Sequence, residues 1–181
     1  MENIILREAS KADFKVIKKL YIKAFPPEER PPFFIMRTKA LQGKGKFLIA
    51  ESGSTFIGFA YLVTHLDMAY LFYFAIDESK RGMGYGSKTL QLLQEKYKGK
   101  RLFLAREQLD ENAGNYEERL KRHSFYLHNG FIDLPCRLKE ANVIYDLMSN
   151  GEMIAPSEYD ALISQWSGKF MKKIIDMRII D

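Results

Sequence analysis

A chain of 181 residues, 46% hydrophobic and 28% charged, has the size and mix of one folded domain, which excludes wholesale disorder. The longest apolar stretch, 56–76, is broken by His65 and Asp67, so no run approaches the ~20 residues of a membrane-spanning helix. The charge of +5, from 28 Lys and Arg against 23 Asp and Glu, suits an anionic ligand, but the bases are dispersed among acids, as in Glu117-Glu118 beside Arg119, Lys121 and Arg122.

Met1-Glu2-Asn3-Ile4 has no basic region ahead of an apolar one, and the single cysteine, Cys136, has no internal partner; both are expected of a cytoplasmic protein. Ile4-Ile5-Leu6 predicts a short strand. Ser10 to Asp13 forms a capping box ahead of a helix carrying Phe14, Ile17, Tyr21 and Ala24 at helical spacing. Pro26-Pro27 ends that helix, and Pro31-Pro32 opens another through Leu41, closed by Gly43 and Gly45. Phe47–Ala50 predicts a strand and 51–54 a turn. Phe56–Val63 and Tyr70–Ile76 then predict two long strands of an antiparallel meander. Asp77 to Gly86 is a polar, glycine-rich break before a helix to about Tyr97, with Met83, Leu90, Leu93 and Tyr97 on one face. Leu102–Ala105 reads as a buried strand, so strand, helix, strand implies a parallel crossover. Tyr116, Leu120 and Leu127 mark another helix face, ended by Asn129-Gly130. Phe131–Leu134 and Val143–Met148 predict a hairpin. Ser157–Asp160 precedes a last amphipathic helix with Leu162, Ile163, Trp166 and Phe170, and Ile174–Ile180 suits either a strand or a partner contact.

The most informative segment is Arg81-Gly82-Met83-Gly84-Tyr85-Gly86-Ser87, between a predicted strand and a predicted helix. A helix start presents unpaired amides and a positive dipole end, and glycines let the backbone close around a phosphate. Lys80 and Arg81 add cations. Ser87 precedes Lys88, the wrong order for a P-loop. Regular two-residue glycine spacing, with Arg101 where an acid is needed ~20 residues on, fits a dinucleotide fingerprint poorly. Taken alone, the segment also reads as a plain glycine-rich turn.

Ile76-Asp77-Glu78-Ser79-Lys80-Arg81-Gly82-Met83-Gly84-Tyr85-Gly86 resembles the acetyl-CoA signature of the GNAT N-acetyltransferase superfamily, R-x-x-G-x-G/A, with Arg81, Gly84 and Gly86 in register. Glu78 stands where the family often has proline. Arg122-His123-Ser124-Phe125-Tyr126-Leu127-His128-Asn129-Gly130-Phe131 is similar to the family's later helix and strand, ending F-Y-x-x-x-G-F. The resemblance implies an α/β fold: a mixed, mostly antiparallel sheet of six or seven strands flanked by helices on both faces. It places an acetyl-CoA-binding N-acetyltransferase domain at 1–150, with 151–181 an extension packing on the same domain or on a partner.

The activity implied is transfer of acetyl from acetyl-CoA to a primary amine of a small molecule, by direct attack in a ternary complex. The alternatives are a protein or peptide N-terminal acetyltransferase, or a non-catalytic acyl-CoA-binding regulatory module; nucleic-acid binding is the weakest reading. The resemblance assigns the diphosphate to the amides of Gly82, Met83, Gly84, Tyr85, Gly86 and Ser87 with Arg81, and the pantetheine arm to the strand ending at Ile76, where it diverges from Leu102–Ala105. An amide near Ala75 or Ile76 serves the developing oxyanion. Tyr126 matches the family's general acid, although its flanking Phe125 and Phe131 also suit a core aromatic. A thiol near ~8.5 and a phenol near ~10 make the proton transfer feasible. A carboxylate must take the amine's proton. Glu107 is the first candidate, ahead of Asp67 and Glu51. The loop 25–32, with Glu28 and Glu29, and the aromatics Phe33, Phe34 and Tyr73 are candidates for the acceptor pocket. His65, His123 and His128 are too scattered for a metal set, so neither metal nor cysteine nucleophile is expected. A homodimer is a reasonable partner state.

Overall fold

Prolines and left-handed glycines cut this chain into short elements, and the computed structural model describes residues 3–140, 143–168 and 177–180, apart from the side chain of Glu28. The described residues hold eight strands: β1 (Ile4–Glu8), β2 (Lys46–Ser52), β3 (Thr55–His65), β4 (Met68–Ile76), β5 (Arg101–Glu107), β6 (Ile132–Glu140), β7 (Val143–Ser149) and β8 (Met177–Ile180). They form a mostly antiparallel sheet in the order β1-β2-β3-β4-β5-β7-β6-β8. Five helices flank it: α1 (Phe14–Ala24), α2 (Phe33–Leu41), α3 (Tyr85–Lys96), α4 (Tyr116–His128) and α5 (Pro156–Ser167). The chain divides into two compact units, residues 1–63 with 71–98, and residues 64–70 with 99–181.

In the first unit β1 pairs antiparallel with β2 from Ile4↔Ser52 to Glu8↔Leu48. β2 continues through Glu51 and Ser52, which composition alone assigns to the turn, and its register with β3 shifts between Ala50 and Glu51. The start of α1 is fixed by Asp13, whose Oδ2 accepts from the Ser10 amide and hydroxyl at 2.7 Å each, while Arg7 grips the same carboxylate at 2.8 and 3.0 Å. Two apolar groupings hold the unit. Ile4, Ala50, Ile57 and Ile76 pack with Tyr85 and Leu92 of α3, which fixes the end of β4 against the start of that helix. Aromatic rings form the other: Tyr21 meets Tyr73 edge to face at 5.1 Å, and Phe33 lies 5.6 Å from Phe47.

In the second unit only Met68–Tyr70 of β4 pair with β5, parallel, against Arg101–Phe103. β5 pairs antiparallel with β7, β7 with β6, and β6 with β8. β8 is the strand that Ile174–Ile180 left open, and it raises the described count to eight. Within that stretch 174–176 lie outside the described residues, as do Phe170, the 141–142 turn of the predicted hairpin, and Met1 and Glu2. α5 buries Tyr159, Leu162, Ile163 and Trp166, with Tyr159 edge-on to Tyr70 and Phe103 at 5.8 and 6.4 Å. Arg101 fastens the start of α5, binding Asp67 at 2.8 and 2.9 Å, Glu158 at 2.7 and 2.9 Å, and the Met153 carbonyl at 2.9 Å.

Three local expectations change. Met83 precedes α3 and is exposed, because the left-handed Gly84 starts the helix at Tyr85. On α4, Leu120 and Leu127 face solvent and Tyr126 is the buried residue, so the inward face is not the apolar stripe. Pro135 and Cys136 lie inside β6, at an irregularity between Asp133 and Arg137 that absorbs the missing proline amide, rather than at an edge turn.

Candidate functional site

The glycine-rich segment is a strand, a turn and a helix held from both ends. β4 ends at Ile76, and the Asp77 amide donates to the Ile57 carbonyl at 2.8 Å, carrying the contact with β3 into the turn. Asp77 Oδ1 accepts from the Ser79 amide at 3.0 Å and the Ser79 hydroxyl at 2.7 Å, closing a single 3-10 turn over Glu78–Lys80. These bonds hold the Asp77 carboxyl below its ordinary value, the Ser79 hydroxyl contributing most. Lys23 of α1 pairs with Glu78 at 2.5 Å, so a charged side chain serves at the position where the family often has proline. Arg81 reaches back, its Nε donating to the Ile76 carbonyl at 3.3 Å.

Gly82 and Gly84 adopt φ of +75° and +78°, which side chains rarely tolerate. Gly84 caps α3 in the left-handed conformation, and its carbonyl accepts the Lys88 amide at 3.1 Å. Tyr85 and Gly86 therefore sit in the helix's first turn, where amides have no intrahelical acceptor. A Cβ built on Gly82 meets nothing within 4 Å, so the turn opens outward there. Gly58 of β3 has the opposite reason to be glycine: a Cβ there lies 2.3 Å from the Ala75 carbonyl oxygen. The structure thus gathers Ala75, Ile76, Arg81, Gly82, Met83, Gly84, Tyr85, Gly86 and Ser87 into one continuous strand–turn–helix.

In the same unit two tyrosines pin the proline-rich loop. The Tyr21 hydroxyl donates to the Pro31 carbonyl at 2.8 Å and the Tyr73 hydroxyl to the Glu29 carbonyl at 3.0 Å. Burial pushes the Tyr21 phenol well up. Phe33 and Tyr73 belong to the ring cluster, whereas Phe34 is exposed.

The other two sequence candidates belong to the second unit. Tyr126 is buried in α4, with the rings of Phe125 and Phe131 edge-on at 5.3 and 5.8 Å. Burial pushes the phenol up to about 12, against an opposing pull from the Arg122 charge. Glu107 ends β5, 9% exposed. Its Oε1 accepts from Asn115 Nδ2 at 3.1 Å and faces Arg119 Nη2 at 3.2 Å, and its Oε2 meets Arg122 Nη1 at 2.5 Å. Burial pushes this carboxyl up, but Asn115 and the two guanidinium groups more than offset it, so it lies below its usual range.

Asn115, Arg119 and Arg122 were not singled out by sequence reasoning. The available signal is the spacing of the two arginines, three apart on one helical face; nothing in the sequence links them to Glu107. A second cluster adjoins this one. Arg106 is buried between Asp133 and Asp146, 3.0 Å from each, and His123 Nε2 lies 2.8 Å from Asp133. Asp67 and Glu51, the other base candidates, pair with Arg101 and Arg7. Among the described residues no group of three or more His, Cys, Asp or Glu is placed to hold a metal ion.

A family model described as the acetyltransferase (GNAT) family matches residues 14–131, from the start of α1 to just before β6. The chain belongs to this family. Solved structures share the GNAT fold at low identity. A Bacteroides thetaiotaomicron protein assigned as a GNAT acetyltransferase superposes with TM-score 0.74 at 22% identity, covering 92% of this chain and 98% of its own. An aminoglycoside 6'-N-acetyltransferase complexed with coenzyme A gives 0.63 at 15%, covering 84% and 99%. The ribosomal-protein-S18-alanine N-acetyltransferase of Escherichia coli gives 0.60 at 17%, covering 84% and 96%. No curated protein matches the chain. No helix among the described residues is long and apolar enough to cross a membrane.

Proposed function

We propose that this GNAT protein transfers the acetyl group of acetyl-CoA to a primary amine of a small molecule, by direct attack of the amine within a ternary complex. The observation that carries the reading is the turn between β4 and α3: two left-handed glycines, an open approach at Gly82, and a helix start behind them. That is the donor set a diphosphate requires, close backbone amides at the positive end of a helix, with Arg81 and Lys80 as cations beside it. The amides from Gly82 through Ser87 take the diphosphate, and the backbone at Ala75 and Ile76 takes the pantetheine arm and the developing oxyanion.

Tyr126 supplies the proton to the departing sulfur. With the phenol near 12 and a thiol near ~8.5, complete transfer to a free thiolate runs uphill by ~5 kcal/mol. Tyr126 therefore acts while the C–S bond breaks, sharing its proton with the sulfur rather than surrendering it beforehand.

Release of free thiol from acetyl-CoA, followed over aminoglycosides, polyamines and peptides with free N-termini, tests the reading. Turnover on small amines supports it. Turnover on peptides alone transfers the acceptor class to polypeptide N-termini. Coenzyme binding without turnover on any amine leaves a regulatory binding module. Absence of coenzyme binding removes the premise.

A further inference from the structure

β3 is irregular where it meets the end of β4. Ala50 of β2 pairs with Gly58 and Glu51 pairs with Phe56, so Ile57 is an extra residue on β3, a bulge that bends the strand and re-aims its backbone. The Ile57 side chain packs with Ile4, Ala50 and Ile76, which holds the bulge in place. Its carbonyl accepts the Asp77 amide at 2.8 Å. The next residue, Gly58, runs so close to β4 that a Cβ there lies 2.3 Å from the Ala75 carbonyl oxygen and 3.0 Å from Ile76 Cα. Glycine weakens a strand interior, so its presence is explained by this approach and not by strand formation. The approach also fixes a direction. The peptide bond between Ala75 and Ile76 is trans, so its carbonyl and its amide point opposite ways. With the Ala75 carbonyl against β3, the Ile76 amide points to the other edge of β4, where pairing with β5 stops at Tyr70. The following peptide is held at both ends, its amide on Ile57 and its carbonyl by Arg81 Nε at 3.3 Å.

We propose that Gly58 is a positioning residue for acetyl transfer: carrying no side chain beside the bulge, it lets the Ala75 carbonyl lie against β3 and thereby aims the Ile76 amide outward, at the acetyl oxygen. This rests on the reading of the β4 backbone as the oxyanion donor and deepens it. Of the two candidate amides, that of Ile76 is the donor, because backbone groups alternate along a strand and the Ala75 amide faces β3 with its carbonyl. In the step concerned, the amine nitrogen bonds to the thioester carbon, and the C=O electron pair moves onto oxygen, where the Ile76 amide donates to it. Collapse re-forms C=O and breaks the C–S bond with its pair on sulfur. The sulfur leaves with a proton, and the nitrogen gives one up to solvent. An oxyanion donor is effective only if it already points where charge develops. Here the peptide before the Ile76 side chain is set by the contact with Gly58 and the peptide after it by Ile57 and Arg81, so this amide has little freedom to turn away.

Gly58→Ala tests the proposal, with Gly45→Ala as its control. Both glycines lie in the first unit and both lack room: a Cβ on Gly45 lies 2.2 Å from the Tyr61 hydroxyl. Gly45 precedes β2, away from the contact with Ala75, so its alanine variant measures crowding alone. Gly58→Ala is expected to lower kcat about ten- to a hundredfold, short of the full loss of an oxyanion donor because the amide is displaced and not removed. Its affinity for CoA by isothermal titration stays within about threefold of the parent. Gly45→Ala melts earlier too but keeps kcat within about twofold. A Gly58→Ala protein with lowered Tm and parental kcat overturns the inference and leaves the coenzyme reading intact. Equal kcat losses in the two variants also overturn it, as does a Gly58→Ala loss that lies wholly in CoA affinity. If the parent binds no CoA, the coenzyme reading fails and this inference with it. Should Gly58→Ala not fold, Ile57→Ala, which loosens the bulge without crowding it, decides alone: kcat lowered threefold or more at parental CoA affinity supports the proposal, and parental kcat overturns it.

Discussion

Replacing Gly82 separates backbone strain from ligand contact at the turn before α3. In the folded protein Gly82 has φ of +75° and no atom within 4 Å of the position a Cβ takes. Alanine there meets no steric neighbour and suffers only the left-handed backbone penalty, about 1–2 kcal/mol. In a chain of this length that corresponds to a fall in Tm of roughly 3–6 °C. Asparagine tolerates the left-handed region better, so Gly82→Asn keeps most of the stability while placing a larger side chain in the same space. If a diphosphate approaches the amides here, both variants obstruct it, and isothermal titration with CoA shows affinity lowered by more than about tenfold, ~1.4 kcal/mol. The decisive comparison is between the two melts and the two affinities. A Gly82→Asn protein with near-parental Tm and CoA affinity within about twofold of the parent shows that no ligand comes close to this backbone. The assignment of the turn then fails whatever the family membership.

Two further outcomes follow from the ionic contacts. Arg101→Met removes the guanidinium that joins Asp67, Glu158 and the Met153 carbonyl, so α5 loosens first; emission from Trp166, the chain's single tryptophan and buried in α5, red-shifts at lower urea than in the parent, and identical transitions would show that the ion pairs add nothing. Asp13 is held far below its ordinary value chiefly by hydrogen bonding from Arg7. A depressed carboxyl stabilises the fold fully above its unfolded value near ~4 and loses that contribution as pH falls through the lower folded value. The parent therefore loses stability steadily below about pH 4, and Asp13→Asn, weaker at neutral pH, shows a shallower acid limb in urea melts; parallel limbs would exclude the linkage.

What was legible in the sequence was local chemistry. Ser10 and Asp13 marked a helix start because a short polar side chain can satisfy backbone amides three residues away, and the structure makes those bonds. Gly82 and Gly84 marked the turn because only glycine takes those dihedrals freely, and they have them. Strands 56–63 and 70–76 announced themselves by β-branched and aromatic density. The partners of Glu107 were not legible, because they lie eight to fifteen residues away and reach it only once α4 is laid beside β5. Nor was the role of Gly58, whose missing side chain matters through the carbonyl of Ala75, which is distant in sequence. The strand character of 177–180 depends on β6 as its neighbour, and four residues carry too little pattern to declare it.

The misread face of α4 is more instructive than the elements that came out as expected. Leu120 and Leu127 stand seven apart, a spacing that predicts burial, yet both are exposed, while Tyr126 is buried and Arg119 is half-buried against Glu107. Holding Arg119 on the buried Glu107 carboxylate carries a desolvation cost that pairing repays only in part. Where local pattern and tertiary placement conflict, some requirement other than stability is the usual reason. On the same helix Tyr126 is buried enough for its phenol to be pushed up to about 12. A phenol raised that far is a poor proton donor unaided. If Tyr126 is the proton donor proposed above, it shares its proton while the C–S bond breaks, so Tyr126→Phe should lower kcat and leave coenzyme affinity unchanged; an unchanged kcat would remove Tyr126 from the reaction.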